Sequence, residues 1–437
     1  MKNIMAISLL ALAAFAFNGN VCAQTEQKGQ SVKIVKASDP QITYSGRVLF
    51  HSSGNVQSVG GLQSGNKTNL GSVSFDWAGV HATFKFTGGY CAVQLSDTGR
   101  DYYNVFIDGV LSKVAIAHGT DTTVVLAENL SKGPHTLLIQ KRTEGEQGMT
   151  TLHEFLLAPD GKIIQENKKS SSIIARDKSG SDVKLGANNP IKKRRILFIG
   201  NSLTCGYGTE SLSGKEDFFA ATENCNKAFA CILSRYFHAD YTLIAHSGRG
   251  VVRNWGDPKK VSVGNMRDKM FNIFDEPGHA KIAAEMLANS GNNSGSKGNL
   301  GDVADNKYDY ASDSQKPDVA VINLGTNDFG TEPYPDKKDF IEAYSQIVAA
   351  VRKMYGNIPI ICIAPRVQGP CFDYVAEFVE GSSNNLHLAA IFQDYCNNTT
   401  DLGASEHPNY EGQKKMAMLI APYISTVTGW AVGGAFK

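Results

Sequence analysis

The sequence predicts two domains: an N-terminal all-β jelly roll or sandwich, then a C-terminal α/β three-layer domain with a parallel sheet. Three observations carry this. From Gly46 to Gln165 the chain is a succession of short Val-, Ile-, Phe-, Tyr- and Thr-rich segments separated by Gly, Asp, Asn and Ser, the mark of many short strands. From Arg195 onward compact apolar runs alternate with helical stretches, which implies a parallel sheet between helices. Between the two, Glu166 to Pro190 is rich in Lys, Ser, Gly and Asn and ends in Asn188-Asn189-Pro190, a boundary signal. The expected division is a β domain over 32–165, a linker over 166–190 and an α/β domain over 191–437.

In the first domain, Val80 to Phe86 alternates Ala82, Phe84 and Phe86 with His81, Thr83 and Lys85, the period of a strand with one buried face. Asp108-Gly109 lies between the strand-like runs Tyr102–Ile107 and Val110–Ile116 and predicts a tight hairpin. In the second domain, Arg195–Gly200, Tyr241–Ala245, Asp318–Asn323 and Ile358–Ile363 read as strands buried on both faces. His387–Phe392 is a candidate fifth strand. Helices are expected over Glu223–Phe237, with Phe229, Ile232, Leu233 and Tyr236 on one face, over Lys337–Met354, and over Gly412–Val427. Ala288 to Asn299 is nearly all Asn, Ser and Gly and is expected to be a mobile surface insertion.

The 437 residues are 42% hydrophobic and 19% charged, which excludes a wholly disordered chain and a small disulfide scaffold. Lys2, the apolar run Ile4–Phe17 and Val21-Cys22-Ala23 read as a signal peptide over 1–23, cut after Ala23. Cys22 raises lipidation as the alternative, although Asn20-Val21 fits such a site poorly. The run is short for a membrane anchor, and no later segment approaches a span. The protein is thus expected to be exported, to periplasm or medium. Removing Lys2 takes the formal charge from +1 to zero, so no electrostatic footprint for nucleic acid exists.

Cys91, Cys205, Cys225, Cys231, Cys362, Cys371 and Cys396 remain, an odd, scattered set that is no disulfide framework. Cys225 and Cys231 fall on one predicted helix and are expected to face different directions. No histidine or cysteine spacing suits a zinc site, and neither metal nor cofactor is expected.

The chemistry gathers where strands end. Ser202 follows the first buried strand in Gly200-Asn201-Ser202-Leu203, at the sheet edge where open α/β folds bind ligands. It can be a nucleophile, or simply a turn serine capping a helix. Gly248, in Ser247-Gly248-Arg249-Gly250 after the second strand, allows close approach of a backbone amide. Asn327, in Gly325-Thr326-Asn327-Asp328 after the third, can aim its side-chain amide at the same point or close an Asx turn. His407, in Ser405-Glu406-His407-Pro408, can supply a base, though a lone loop histidine often only faces solvent. Their order on consecutive strand ends favours a shared site.

These four blocks resemble those of the SGNH (GDSL-like) hydrolases. With Tyr102–Gly109, Lys141–Glu146 and the continuation Ser247–Asn254, the chain is similar to carbohydrate esterase family two over nearly all of its mature length. The resemblance implies a jelly roll joined to a flavodoxin-like esterase domain that removes acetyl groups from plant polysaccharides such as xylan or glucomannan. It implies Ser202 as nucleophile and His407 as general acid and base, with an oxyanion hole from the Ser202 and Gly248 amides and the Asn327 side chain.

One departure matters: the position three before His407, where most SGNH enzymes place Asp, is Ala404. Glu406 is poorly placed and Asp401 reaches back only if its loop folds over, so a Ser–His dyad with a backbone carbonyl or polar neighbour holding the imidazole is expected. Trp255 and Tyr207 are candidate sugar contacts, with packing beneath its own loop the alternative for Trp255. Arg249 and Arg253 read as loop anchors. Rival functions are a lipase or thioesterase using the same blocks, and a non-catalytic carbohydrate-binding protein. The expected partner is an acetylated polysaccharide or oligosaccharide; the sequence is silent on oligomeric state.

Overall fold

A computed structural model describes residues 31–52, 57–58, 70–164, 174–176, 182–184, 193–289, 303–311, 313–366, 369–382, 385–392, 398–431 and 436. The expected signal peptide, most of the expected linker, most of the Asn/Ser/Gly-rich stretch and Cys396 lie outside these residues.

Two antiparallel sheets form the first half. One orders Gly119–Ala127, Cys91–Asp97, Thr150–Leu157, Leu70–Phe75, Leu49–Ser52 and Gln57–Ser58, with Lys33–Lys36 also on Thr150–Leu157. The other orders Thr43–Ser45, His81–Thr87, Pro134–Lys141, Tyr102–Ile107 and Val110–Ile116. Their inner faces meet through alternating apolar side chains, with the Phe84 ring edge-on to Phe155 at 4.7 Å, a packing that aromatic pairs prefer. The expected hairpin is present: Asp108 and Gly109 take φ of 52° and 81°, as a type I′ turn requires.

The expected alternation in His81–Thr87 holds for Ala82, Phe84 and Phe86, but His81 on the opposite face is buried too. The second domain covers that face. The His81 ring lies 5.4 Å from Tyr241, Gln140 donates to the Tyr241 hydroxyl at 2.5 Å, and Asn104 donates to Asn224 at 2.9 Å. Polar side chains that a free sheet would offer to water are here matched to polar partners across a domain interface, as buried polar groups must be.

The second half holds a five-stranded parallel sheet in the order Ala239–Ala245, Arg194–Gly200, Val319–Ile322, Ile360–Arg366, Leu386–Phe392. The candidate fifth strand is real. This is the flavodoxin-like order, which reverses direction at the first strand. Phe229–Tyr236 and Tyr410–Thr428 pack on one face, and Lys337–Tyr355 and Cys371–Glu380 on the other. Among the described residues no helix is long and apolar enough to cross a membrane.

One expected helix is broken. Cys225–Lys227 is a separate short turn, and the extended Ala228 (ψ 154°) interrupts the chain before Phe229. Cys225 and Cys231 are buried on either side of this break. Neither is in a disulfide, and Cys91, Cys205, Cys362 and Cys371 are likewise buried free thiols.

Candidate active site

The Ser202, Gly248 and Asn327 blocks begin where strands of the parallel sheet stop, and the His407 block lies in the turns before the helix Tyr410–Thr428. After Gly200, Asn201 caps the one-turn helix Ser202–Cys205 by accepting from Leu203 N–H at 3.2 Å. Gly200 must lack a side chain here, since a Cβ would lie 2.0 Å from Thr204 Oγ1. Ser202 is thereby held at the carboxyl edge, at the point where the strand order reverses.

The imidazole of His407 completes a pair with it. His407 Nε2 lies 2.9 Å from Ser202 Oγ, and Nδ1 lies 3.1 Å from the Ser405 carbonyl oxygen. A carbonyl only accepts, so Nδ1 carries the hydrogen and Nε2 is left to take the serine proton. Asp401 is not the missing carboxylate, for it pairs with Lys415 at 2.5 Å, and Glu406 is exposed. Burial pulls the His407 pKa below the ordinary 6.5, against the opposing pull of the Ser405 and Ala404 backbone and the charge of Glu144. The ring is therefore neutral, and able to accept a proton, at neutral pH.

The His407 loop is held in an unusual backbone. Ser405 and Glu406 both take left-handed φ, 51° and 61°, costing on the order of 1–3 kcal/mol each for non-glycine residues. Two bonds from a facing loop hold them there: Ser405 N–H donates to Glu216 O at 2.9 Å and Glu406 N–H to Gly214 O at 3.0 Å. That same loop carries Phe218, whose ring stacks on Tyr207 at 3.9 Å, and Tyr207 in turn lies 4.4 Å from the His407 ring. The Tyr207 hydroxyl also bonds Ser405. Tyr207, a candidate sugar contact, is thus a wall of the histidine's own slot.

The second and third blocks are tied together. Gly248 takes φ of 72°, with open space where a side chain would stand, and its carbonyl accepts from Trp255 N–H at 2.8 Å. Asn327 Nδ2 donates to Arg249 O at 2.8 Å, leaving its second N–H for a ligand. Asp328, which sequence reasoning passed over, is buried and accepts from the N–H groups of Val251, Val252 and Arg253 at 2.9, 2.8 and 2.9 Å. Burial pushes its pKa up to about 6, with those three bonds pulling the other way.

Arg253 is the loop anchor expected, buried and donating to the carbonyls of Asp257, Lys259 and Thr331. Trp255 does not pack beneath its loop. It is 62% exposed, with only the indole edge resting near Gly330.

Two sets of ligand-type groups converge from distant parts of the chain, Glu144/Cys205/Glu223 and His246/Asp275/Glu276. In the second, the Lys269 ammonium lies 3.0 Å from Asp275 and 2.9 Å from Glu276 and is itself the cation.

Residues 65–166 match the family described as carbohydrate esterase 2 N-terminal, and residues 273–415 the GDSL-like lipase/acylhydrolase family. The cellulase/esterase CelE of Acetivibrio thermocellus is 28% identical over 81% of this chain, which spans 38% of that protein's length. An acetylxylan esterase/glucomannan deacetylase of Cellvibrio japonicus is 21% identical over 98% of this chain and 100% of its own. A family two carbohydrate esterase from Clostridium thermocellum, solved in complex with cellohexaose, superposes with a TM-score of 0.63 at 26% identity, covering 83% of this chain and 96% of that one. The chain is thus similar in its first half to the carbohydrate esterase 2 N-terminal family and in its second to the GDSL-like lipases/acylhydrolases, on a fold shared with a family two carbohydrate esterase.

Proposed function

We propose that the protein is an exported carbohydrate O-acetyl esterase acting on plant polysaccharides such as xylan or glucomannan through a Ser–His acyl-enzyme mechanism. Ser202 Oγ attacks the acetyl carbonyl while His407 Nε2 accepts its proton. The tetrahedral oxyanion is met by the Ser202 and Gly248 N–H groups and the free N–H of Asn327, each donor worth about 2.7–4 kcal/mol in enzymes of this kind. As the intermediate collapses, His407 returns the proton to the departing sugar hydroxyl, leaving acetyl on Ser202. Water, deprotonated by His407, then attacks the acyl carbonyl, and the proton passes back to Ser202 as acetate leaves.

The observation that carries this reading is the 2.9 Å approach of His407 Nε2 to Ser202 Oγ with Nδ1 turned to a carbonyl. The substrate class rests on the names of the matched relatives, and export on the Ile4–Ala23 leader pattern. The exposed Trp255 indole beside Gly248 offers a face that suits a pyranose ring.

The test is acetate release from acetylated xylan and acetylated glucomannan by wild type and Ser202→Ala. The variant should lose about three orders of magnitude or more; equal rates would support a binding protein instead. An acyl-length series in which long chains outperform acetate would favour a lipase.

A further inference from the structure

In acyl-transfer triads the carboxylate both orients the imidazole and stabilises the imidazolium. The Ser405 carbonyl orients His407 but brings no full charge. Among the described residues, a carboxylate does enter the rear of the site, from the β domain.

Beyond the strand Pro134–Lys141 the chain runs under the Ser202 helix. Lys141 Nζ donates to Asp101 at 2.5 Å and to the carbonyls of Thr143 and Glu144 at 2.9 and 3.0 Å. Arg142 Nε donates to Glu223 O at 2.7 Å, and its head pairs with Glu210. Glu144 N–H donates to Glu223 Oε2 at 3.3 Å, and Gly145 lies so close to Asp275 that a Cβ would stand 2.6 Å from it. Glu144 is thus held from both sides, and its buried Oε2 accepts from Ser247 N–H at 2.6 Å and from the Cys205 thiol at 3.5 Å. Ser247 immediately precedes Gly248; Cys205 lies one turn from Ser202.

We propose that Glu144 is a positioning residue for this site, its carboxylate fixing the Ser247–Gly248 loop and supplying the buried negative charge that the His407 loop lacks. The proposal rests on the acyl-transfer reading above. Burial and the neighbouring Glu144 push the Glu223 carboxyl well up. The other ionisable groups beside Glu144 are Cys205, Lys141, His246, Tyr207 and, across Gly145, Asp275; beside His407 they are Tyr207 and the exposed Glu406. Burial lowers the His246 imidazole, but Asp275 at 2.6 Å more than reverses this. The Glu144 charge acts on His407 in the direction that favours imidazolium.

Two full-length variants test this. Glu144→Gln keeps an acceptor for Ser247 N–H and removes the charge. Glu144→Asp keeps the charge and withdraws the acceptor by one methylene. For each, kcat and KM on a small acetyl ester are measured against pH, and the His407 titration is followed by NMR without substrate. Glu144→Gln should lower kcat roughly tenfold to a hundredfold at little change in KM and move the His407 midpoint to lower pH. Glu144→Asp should lower kcat comparably and leave the midpoint near wild type.

A lowered kcat in Glu144→Gln with an unmoved midpoint means a merely structural role and overturns the proposal. If Glu144→Gln fails to fold, an unchanged kcat in Glu144→Asp overturns it instead. A wild type that releases acetate from no ester defeats the esterase reading, while the substrate-free His407 midpoint still decides whether Glu144 is coupled to the imidazole.

Discussion

At the scale of single residues, His407 shows how a backbone group substitutes for a side chain. An amide put in place of a triad carboxylate selects the wrong tautomer and costs roughly ten-thousandfold. A carbonyl cannot make that error, because it only accepts. What it fails to do is move the histidine pKa far upward, and burial instead holds it below 6.5. In the proposed mechanism His407 accepts a proton only when neutral, so activity should be lost as pH falls through the His407 pKa. We expect the acid limb of kcat/KM below pH 6.5, and an acid limb above that value would contradict the environment described. Phe218 supports Tyr207, which supports the imidazole. Phe218→Ala should therefore lower kcat by about tenfold or more through misplacement of the base while KM on a small ester stays nearly constant. A change confined to KM would make the stack a substrate contact.

At the scale of elements, three of the site's four blocks sit at strand ends, and a buried carboxylate holds the loop that follows Gly248. Asp328 gathers three consecutive N–H groups of the loop that follows Gly248, so the third strand dictates the shape of the second block. Asp328→Asn replaces one accepting oxygen with a donor facing N–H groups, leaving buried donors unmet at a cost of about 1–3 kcal/mol. It should lower both Tm and kcat; an unchanged melting curve would remove Asp328 from this role. Trp255 belongs to the same loop but points outward. Trp255→Ala should raise KM for polysaccharide severalfold, with little effect on a small acetyl ester. Equal loss on both substrates would make it a structural residue.

At the scale of the whole molecule, the two halves share a polar interface. The buried Lys141–Asp101 pair sits behind the site, and removing one partner of such a pair costs about 3–5 kcal/mol. Lys141→Met should accordingly depress Tm far more than Lys36→Met, whose partner Glu154 makes an exposed pair worth under about 1 kcal/mol. Calorimetry on both variants decides, and equal effects would contradict the burial described.

The interface also marks the limit of what the sequence could reveal. Ser202, Gly248 and Asn327 were legible because each follows an apolar run long enough to be a buried strand. His407 was legible from its block and its chain order. Glu144 and Asp328 were not, since their contacts cross 103 and 77 residues of chain, nor was Phe218, which reaches His407 only through Tyr207. His81 misled for the same reason, its polar face being covered by another domain. The expected helix Glu223–Phe237 failed locally, where the extended Ala228 interrupts a run that hydrophobic spacing had joined.

The central claim is that an acyl group passes through Ser202. Mass spectrometry of the protein quenched by acid during turnover of an activated acetyl ester tests it most directly. The account predicts a transient acetyl adduct on the peptide containing Ser202, absent in Ser202→Ala. Acetate release with no serine-bound acetyl, or with the adduct on another residue, would contradict it.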